Sequence, residues 1–449
     1  MPFGKDFVWG AASSAYQIEG SALAEGGGPS IWDVFSHTPG NIYEDQTGDI
    51  ACDAYNRYEE DIALMQELGL GAYRFSVSWA RIDPLGDGTW NPSALAYYDR
   101  VVDACLRRGI TPYLTLYHWE LPQALEEKGG WLNRDTALAF GRYADKIARQ
   151  FKGRVKHYIV LNEPQCSVLL GYSTAAHAPG KALPTEQLFA CWHHFMLAYG
   201  LGARAIKAAD ENALISIATT GRLCYPTNDA LEHIHAAREE SFRVAEDDWM
   251  FTHSIALDPI CFGAYPPCPP SALARCMETV SAQDMETIHV VPDFISANIY
   301  NGLEVFSDQG GAVYKKRHEG FPRTALKWPI TPEVMHWGTQ FLHERYHLPL
   351  YITENGLSCN DKLFLDGKVH DSDRIDFLHR YLRGLLAAVR DGADVRGYFH
   401  WSLTDNFEWN NGYNERFGLI YIDYPSQQRI LKDSAHWYAQ VVKQNGAGL

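Results

Sequence analysis

The stretch "PLYITENG", residues 349–356, is an apolar run that leads into a glutamate. An apolar run without polar alternation is typical of a strand in a parallel sheet that is covered on both faces. A carboxylate at the end of such a strand costs desolvation free energy unless another group or a reaction uses it. Glu354 therefore bears on the fold and on the function.

Seven other segments have the same apolar character and recur along the whole chain. They are 7–12, 72–79, 111–119, 155–163, 214–219, 293–300 and 395–402. Between them lie segments with apolar residues at helical spacing, such as 55–69, 93–109 and 372–392, the last with Ser372 as its expected N-cap. Eight buried strands alternating with helices predict an α/β fold, a single (β/α)8 TIM barrel domain over residues 1–449.

Two segments that follow predicted strands are unusually long. Residues 21–53 follow the first strand and residues 301–328 follow the sixth, and both are rich in glycine and aromatic residues. In a barrel of this kind the loops after the strands build the active-site face. Long loops at the C-terminal face of the strands therefore predict a narrow, enclosed pocket.

Composition and charge exclude several classes of protein. Lys and Arg number 39 against 55 Asp and Glu, a net charge of −16 that repels nucleic acid and anionic membranes. No GxGxxG motif follows a strand, and no stretch approaches the ~18 apolar residues of a membrane span. The first twenty residues lack the pattern of a signal peptide. We expect a cytoplasmic protein with no nucleic-acid or membrane partner.

The nine cysteines are odd in number, scattered, and never spaced as CxxC. This pattern favours reduced thiols, most of them buried as small apolar side chains, over a disulfide framework or a zinc site. We expect no metal and no cofactor. The pattern leaves the oligomeric state open.

Polar and aromatic residues are concentrated where the predicted strands end. In chain order these are Gln17, Arg74, His118, Trp119, Asn162, Glu163, Asn298, Tyr300, Glu354, Trp401, Glu408 and Trp409. Some of them have a structural alternative: His118 and the tryptophans as core residues, and Arg74 as a structural ion pair. A tryptophan face can also pack against a sugar ring while amides and acids bond its hydroxyl groups.

Glu163 and Glu354 each end an apolar strand beside an amide residue. A lone glutamate there is more often a helix N-terminal charge or a salt-bridge partner. Two of them on opposite strands of one barrel, with amides and aromatics nearby, favour the carboxylate pair of a glycoside hydrolase. One carboxyl group would protonate the leaving oxygen, and the other would attack or stabilise the anomeric centre.

Six blocks in this order resemble the signature of glycoside hydrolase family 1, the β-glucosidases and their relatives. They are "FVWGAASSAYQIEG", "YRFSVSWARI", "YHWELPQAL", "VLNEPQCS", "YITENG" and "WSLTDNFEW…GYNERFGLIYID". The resemblance covers essentially the whole chain. It implies a (β/α)8 barrel and hydrolysis with retention through a covalent glycosyl-enzyme.

The resemblance also implies roles for particular residues. Glu163 in "NEP" corresponds to the general acid/base, Glu354 in "TENG" to the nucleophile, and Arg74 and Tyr300 to the pair that contacts the nucleophile. The glycone pocket would consist of Gln17, His118, Trp119, Asn162, Glu408 and Trp409, with Trp401 as its floor and Trp328 on the aglycone side. Arg74 and Tyr300 should lower the pKa of Glu354, whose charge should raise that of Glu163.

Variation within the motifs separates relatives of the family. Thioglucosidases usually lack the acid/base glutamate, which this chain keeps as Glu163. Relatives that act on 6-phosphoglycosides carry a serine and a lysine after the eighth strand, where Glu408 stands here and would repel a phosphate.

We expect an exo-β-glucosidase for small β-glucosides and β-linked disaccharides such as cellobiose. β-Galactosyl and β-fucosyl residues are further candidate glycones. A 6-phospho-β-glycosidase and an inert sugar-binding barrel are the alternatives.

Overall fold

The eight predicted strands form a closed barrel in the computed structural model, which describes residues 3–449. We number these strands β1 to β8 in chain order. They are β1 Val8–Ala12, β2 Ala72–Ser76, β3 Thr111–Tyr117, β4 His157–Asn162, β5 Leu214–Thr219, β6 Ile295–Asn298, β7 Leu350–Asn355 and β8 Val395–Trp401. The predicted (β/α)8 barrel is confirmed.

Every barrel strand is parallel to its neighbours, and each pairs with the next one along the chain. β1 closes the barrel by pairing with β8, which sets Ala12 opposite both Trp401 and Arg74. Because all eight strands run the same way, their carboxyl ends meet at one face. The predicted site residues are brought together at that face.

The barrel is surrounded by helices that alternate with the strands. They are Ala15–Ile18, Ile31–Ser36, Ala54–Glu67, Trp79–Ile82, Pro92–Arg107, Gln123–Glu126, Arg134–Phe151, Pro164–Val168, Thr185–Ala209, Leu231–Phe242, Ser254–Phe262, Ala272–Glu278, Ala282–Ile288, Glu333–Tyr346, Ser372–Arg390 and Asp433–Lys443. The three helices predicted from apolar spacing are all present. Each buries the predicted apolar face, as Ile62 and Met65 do in Ala54–Glu67.

The N-cap prediction at Ser372 is wrong by one residue. Ser372 is the first residue of its helix, and Asp371 precedes it as the N-cap without a side-chain capping bond. The Asp371 carboxylate is used elsewhere: it contacts Arg374 and accepts hydrogen bonds from the backbone N–H and the hydroxyl of Ser434. Because the Asp371 carboxylate bonds to Ser434 outside this helix, it does not cap the helix.

The long loops carry small elements of their own. After β6, strands Leu303–Asp308 and Gly311–Tyr314 form a hairpin that extends to Cys224–Pro226 as a three-stranded sheet. After β8, strands Ile420–Asp423 and Gln428–Leu431 form a second hairpin. In the loop after β1, Ser30 and Asp33 form a capping box on helix Ile31–Ser36. These hydrogen bonds give the loops a defined shape.

The core has two parts. The larger lies between the strands and the helices, and a smaller cluster consists of Ala12, Ala72, Tyr113, Phe399, Trp401 and Phe417. Tyr113 stacks on His157 at 4.1 Å between ring centroids and contacts Phe399 at 4.9 Å. Tyr113 on β3 and Phe399 on β8 belong to strands that are not neighbours, so their contact lies inside the barrel. A packed interior gives the strand ends a rigid base.

All nine cysteines are free thiols, as the spacing predicted. The expectation that most are buried is wrong, because four are buried and five are half-buried. The half-buried ones lie in helices and loops outside the barrel strands, where neighbouring side chains leave them partly exposed. Across residues 3–449, no helix combines the length and the apolar character needed to cross a bilayer.

Candidate active site

Arg74 lies at the centre of the face formed by the strand ends. Its side chain is almost fully buried and donates to Glu354 Oε1 and to Asn162 Oδ1, both at 2.5 Å. It also donates to the carbonyl of Thr353 at 3.1 Å and to Thr115 Oγ1 at 3.2 Å. A buried guanidinium with every nitrogen bonded holds its partners in fixed geometry.

Two amide side chains connect Arg74 to the second carboxylate. Asn298 Nδ2 donates to Glu163 Oε1 at 2.8 Å and to Asn162 Oδ1 at 3.1 Å. Asn298 Oδ1 accepts from Thr353 Oγ1 at 2.7 Å, which fixes the orientation of the amide. Hydrogen bonds thus connect the two carboxyl groups across the barrel mouth without a break. The network runs in the order Glu354, Arg74, Asn162, Asn298 and Glu163.

The backbone is irregular at the strand ends that carry this hydrogen-bonded network. The pairing of β4 with β5 shifts register between Ile159 and Asn162, and that of β6 with β7 shifts before Glu354. Register shifts of this kind turn side chains away from the regular alternation of a strand. Glu163 follows with φ of 44°, a left-handed conformation that is costly for a residue with a side chain.

Burial raises the pKa of both carboxyl groups, because the charged form loses its hydration. For Glu163, the charge on Glu354 acts in the same direction. For Glu354, the Arg74 guanidinium and the Tyr300 hydroxyl at 2.8 Å oppose burial, as predicted, although burial outweighs them. Arg74 contacts Glu354 and not Glu163, so the ionised form is favoured more at Glu354 than at Glu163.

Glu408 and Gln17 form the inner end of the site. Gln17 Nε2 donates to Asn406 Oδ1 and to the carbonyl of Phe407 at 3.0 Å, and to Glu408 Oε2 at 3.3 Å. Burial, followed by the charges of Glu354 and Glu415, raises the pKa of Glu408 to about 8. A carboxyl group that is neutral at pH 7 can both donate and accept hydrogen bonds.

Aromatic rings line the walls between these polar groups. Trp401 ends β8 and stacks with His118 at 5.8 Å, and Trp119 and Trp409 lie 4.5 Å apart. Trp119 Nε1 donates to the carbonyl of Asn162 at 3.2 Å. Burial and the Arg74 charge lower the pKa of His118, so its imidazole is neutral. His118 Nε2 then accepts from Asn162 Nδ2 at 3.1 Å.

A cavity of about 590 Å³ joins these groups. Nine of the twelve residues predicted for the site line it: His118, Trp119, Glu163, Tyr300, Trp328, Glu354, Trp401, Glu408 and Trp409. Arg74, Gln17 and Asn162 lie behind this wall and bond to its members. The structure therefore brings all twelve together at one site. Within residues 3–449, no cluster of His, Cys, Asp or Glu is arranged to hold a metal ion.

Comparison with known proteins adds to this geometry. The family model for glycosyl hydrolase family 1 matches residues 1–447. The chain belongs to glycosyl hydrolase family 1. A chain that carries this family's signature over its whole length is a glycoside hydrolase.

Family 1 relatives match the chain from end to end. A protein named 1,4-β-D-glucan glucohydrolase from Thermotoga neapolitana is 40% identical over 99% of both chains. Beta-glucosidase A of Thermotoga maritima is 41% identical over 99% of this chain and 98% of the relative. A solved structure of β-glucosidase from Thermotoga maritima in complex with deoxynojirimycin has a TM-score of 0.89 at 39% identity, with 99% of each chain covered.

Some residues of this family 1 site were given no role from the sequence. The position of Asn298 at the end of a predicted strand indicated that it lies at the active-site face. That position did not predict its hydrogen bond to Glu163. The outer cavity is lined by loop residues such as Leu170, His177, Phe251 and Asn410. They lie outside the strand ends, and no spacing rule places loop side chains in space.

Replacing Arg74 with Gln should move the acid limb of the kcat/KM profile to higher pH. Without the guanidinium the pKa of Glu354 rises further, so Glu354 becomes protonated at a higher pH. The acid limb should therefore move up by about one pH unit or more. The profile is measured with an aryl β-glycoside. Arg134→Gln, which removes an exposed ion pair to Asp284, serves as the control. An unmoved acid limb in folded R74Q would contradict the role given to Arg74.

Proposed function

We propose that the chain is a retaining exo-β-glucosidase that removes terminal non-reducing β-D-glucosyl residues, with β-galactosyl and β-fucosyl residues as further glycones. The observation that carries the proposal is the pair Glu163 and Glu354. Both are buried at one cavity, and only Glu354 contacts a guanidinium. Hydrolysis with retention is general in this family and needs such a pair of one ionised and one protonated carboxyl group.

In the first step, Glu354 attacks the anomeric carbon and the bond from that carbon to the glycosidic oxygen breaks. Glu163 gives its proton to this oxygen, so the aglycone leaves as a neutral alcohol. The glucosyl residue stays behind as an ester of Glu354. Arg74 and Tyr300 orient the attacking carboxylate, because each holds one of its two oxygens.

In the second step, water replaces the aglycone. Ester formation removes the charge of Glu354, which is one of the causes that raise the pKa of Glu163. Glu163 now takes a proton from the water, whose oxygen attacks the anomeric carbon and breaks the ester. Glucose leaves with the β configuration of the substrate, and both carboxyl groups return to their starting states.

The inner end of the cavity supports a terminal, unphosphorylated glycone. Gln17 and Phe407 are fully buried behind Glu408, so the chain of a longer glycan has no exit on that side. Glu408 and Gln17 would bond sugar hydroxyl groups, and Trp401 would support the ring face. A 6-phosphate would lie beside Glu408, whose carboxyl group already experiences the negative charges of Glu354 and Glu415. Within residues 3–449 the cavity lining offers Arg222 as its only Arg or Lys, and Asp248 pairs with it.

The outer part of the cavity supports an uncharged aglycone. Leu170, Leu223, Phe251 and Leu326 line it, together with Trp328, which packs against Tyr300 at 5.2 Å. We therefore propose aryl and alkyl β-glucosides and β-linked disaccharides such as cellobiose as substrates. A panel of these glycosides, with the product anomer followed by NMR, ranks them and tests retention.

We also propose that residues 1–449 act as one catalytic domain in the cytoplasm. The site residues run from Gln17 to Trp409, so nearly the whole chain contributes to one cavity. Nine free thiols favour a reducing compartment. Fractionation of cells that express the full chain tests the location.

Glu354→Ala should abolish hydrolysis of an aryl β-glucoside, with a loss of about 10⁴-fold or more, because no other group can form the ester. Added azide should restore turnover by attacking the anomeric carbon in the space left by the carboxylate. The product should be the α-glucosyl azide, identified by NMR. Substantial activity without azide, or a β-glucosyl azide, would overturn the assignment of the nucleophile.

Glu163→Ala should slow substrates in proportion to their need for a proton. We expect a loss of about 10²- to 10⁴-fold on an alkyl β-glucoside and a smaller first-step loss on dinitrophenyl β-glucoside, whose leaving group needs little protonation. The alkaline limb of kcat/KM for the alkyl glucoside, which reports deprotonation of Glu163, should also disappear. Equal losses on both substrates with the limb retained would exclude the acid role.

The 6-phospho-β-glycosidase alternative is tested by rates on 4-nitrophenyl β-glucoside and its 6-phosphate. The electrostatics of the inner end predict a kcat/KM for the neutral sugar at least about 100-fold higher. Glu408→Gln should narrow this ratio when it is measured above pH 8, because the substitution then removes the negative charge of an ionised Glu408. Preference of the wild-type protein for the phosphate would replace the proposed substrate class.

Binding of cellobiose without release of glucose would favour the inert sugar-binding alternative.

A further inference from the structure

Two loops that carry the proposed catalytic and glycone residues meet at the outer wall of the cavity. The loop after β4 begins with Glu163 and reaches His177, and the loop after β8 carries Glu408, Trp409 and Asn410. His177 Nε2 lies 3.2 Å from Asn410 Oδ1, and both residues line the cavity. This contact joins loops from opposite sides of the barrel, where no strand pairing can hold them together.

The backbone of His177 is fixed by its own loop. Its N–H donates to the carbonyl of Leu170 at 3.0 Å, and its carbonyl accepts from the N–H of Gly180 at 2.8 Å. The same loop is anchored beyond this point, where the N–H of Leu183 donates to the carbonyl of Tyr172 at 2.8 Å. The imidazole therefore projects from a rigid support.

The imidazole packs among three tryptophans. Its ring centroid lies 5.2 Å from Trp32, 5.5 Å from Trp119 and 6.4 Å from Trp409. Trp119 and Trp409 have φ of 72° and 51°, left-handed conformations that a bulky residue adopts only when its surroundings impose them. His177 is one of the groups that supply these surroundings.

The chemistry of the contact is determined by the protonation of His177. Burial lowers the pKa of His177 to about 4, so the ring is neutral in the physiological range. A neutral imidazole carries its proton on one nitrogen, and the amide oxygen of Asn410 can only accept. Nε2 is therefore the donor, and the hydrogen bond has a single defined direction.

We propose that His177 is a positioning residue that sets the glycone pocket by holding Glu408 and Trp409 in register with Glu163. This inference rests on the proposed function. His177 acts through Asn410 and the two strained tryptophans, rather than through a contact with reacting atoms. Its loss would let the segment 408–411 relax, so affinity for the sugar would fall more than the rate of the chemical step.

The test compares His177→Ala, His177→Gln and Asn410→Ala in the full chain. The dissociation constant of glucose is measured by calorimetry, and kcat and KM are measured with 4-nitrophenyl β-glucoside. We expect H177A to weaken glucose binding and raise KM by about tenfold, with kcat changed by less than about threefold. H177Q keeps an N–H donor for Asn410 and should recover most of the affinity.

Two further comparisons separate positioning from stability. His194→Ala removes another half-buried neutral histidine, which bonds to the carbonyl of Trp131 at 2.9 Å and does not line the cavity. It should lower the melting temperature without changing glucose affinity. The double variant H177A/N410A should bind glucose no more weakly than H177A, because the two single changes remove the same interaction.

The outcomes distinguish this inference from the proposed function. Unchanged glucose affinity in folded H177A, or an equal fall in H194A, overturns the positioning role. Fully additive losses in the double variant also overturn it. A wild-type protein that binds glucose but hydrolyses no β-glucoside removes the proposed function and leaves the positioning role to be decided by the dissociation constants. A wild-type protein that hydrolyses β-glucosides, with an H177A variant whose KM is unchanged, overturns the positioning role alone.

Discussion

The site depends on one buried guanidinium. Arg74 stands on β2 with about 1% of its side chain exposed, and the free energy lost by taking its charge out of water must be recovered from its partners. Glu354, Asn162, Thr353 and Thr115 together provide that compensation from β7, β4 and β3. Because these partners belong to different strands, the requirement to satisfy Arg74 fixes the positions of the strand ends relative to one another.

A second buried charge network fixes the loops in the same way. Lys432 is fully buried and bonds Asp361 at 2.5 Å and Asp405 at 2.6 Å. Asp361 follows the strand of Glu354, and Asp405 precedes Glu408, so one ammonium group connects the loops after β7 and β8. Arg374 and Arg416 complete the pairing of these aspartates. Unpaired, each buried charge would cost several kcal/mol, which makes alternative loop positions unfavourable.

The strands and the strand-end residues were predictable from sequence because parallel barrel strands are apolar almost throughout, and their carboxyl ends share a face. This is why the region around Glu163 and Glu354 could be assembled without coordinates. The Asn298 bond to Glu163 and the contact of His177 with Asn410 could not be predicted, since they depend on register shifts and loop conformations. Asp371 shows the same limit, because a tertiary partner, Ser434, overrides its local capping role.

The strand ends and the loops thus position different residues of the site. The strand ends hold the two carboxyl groups through Arg74, Asn162 and Asn298, a geometry set by the barrel and by the cost of leaving buried charges unpaired. The proposed glycone residues Glu408 and Trp409 lie on a loop, where position depends on side-chain contacts and on backbone conformations that bulky residues resist. Chemistry is therefore tied to the most rigid part of the fold. In the proposed function, selection among sugars depends on contacts that single substitutions can alter, so the substrate range can change while the reaction is kept.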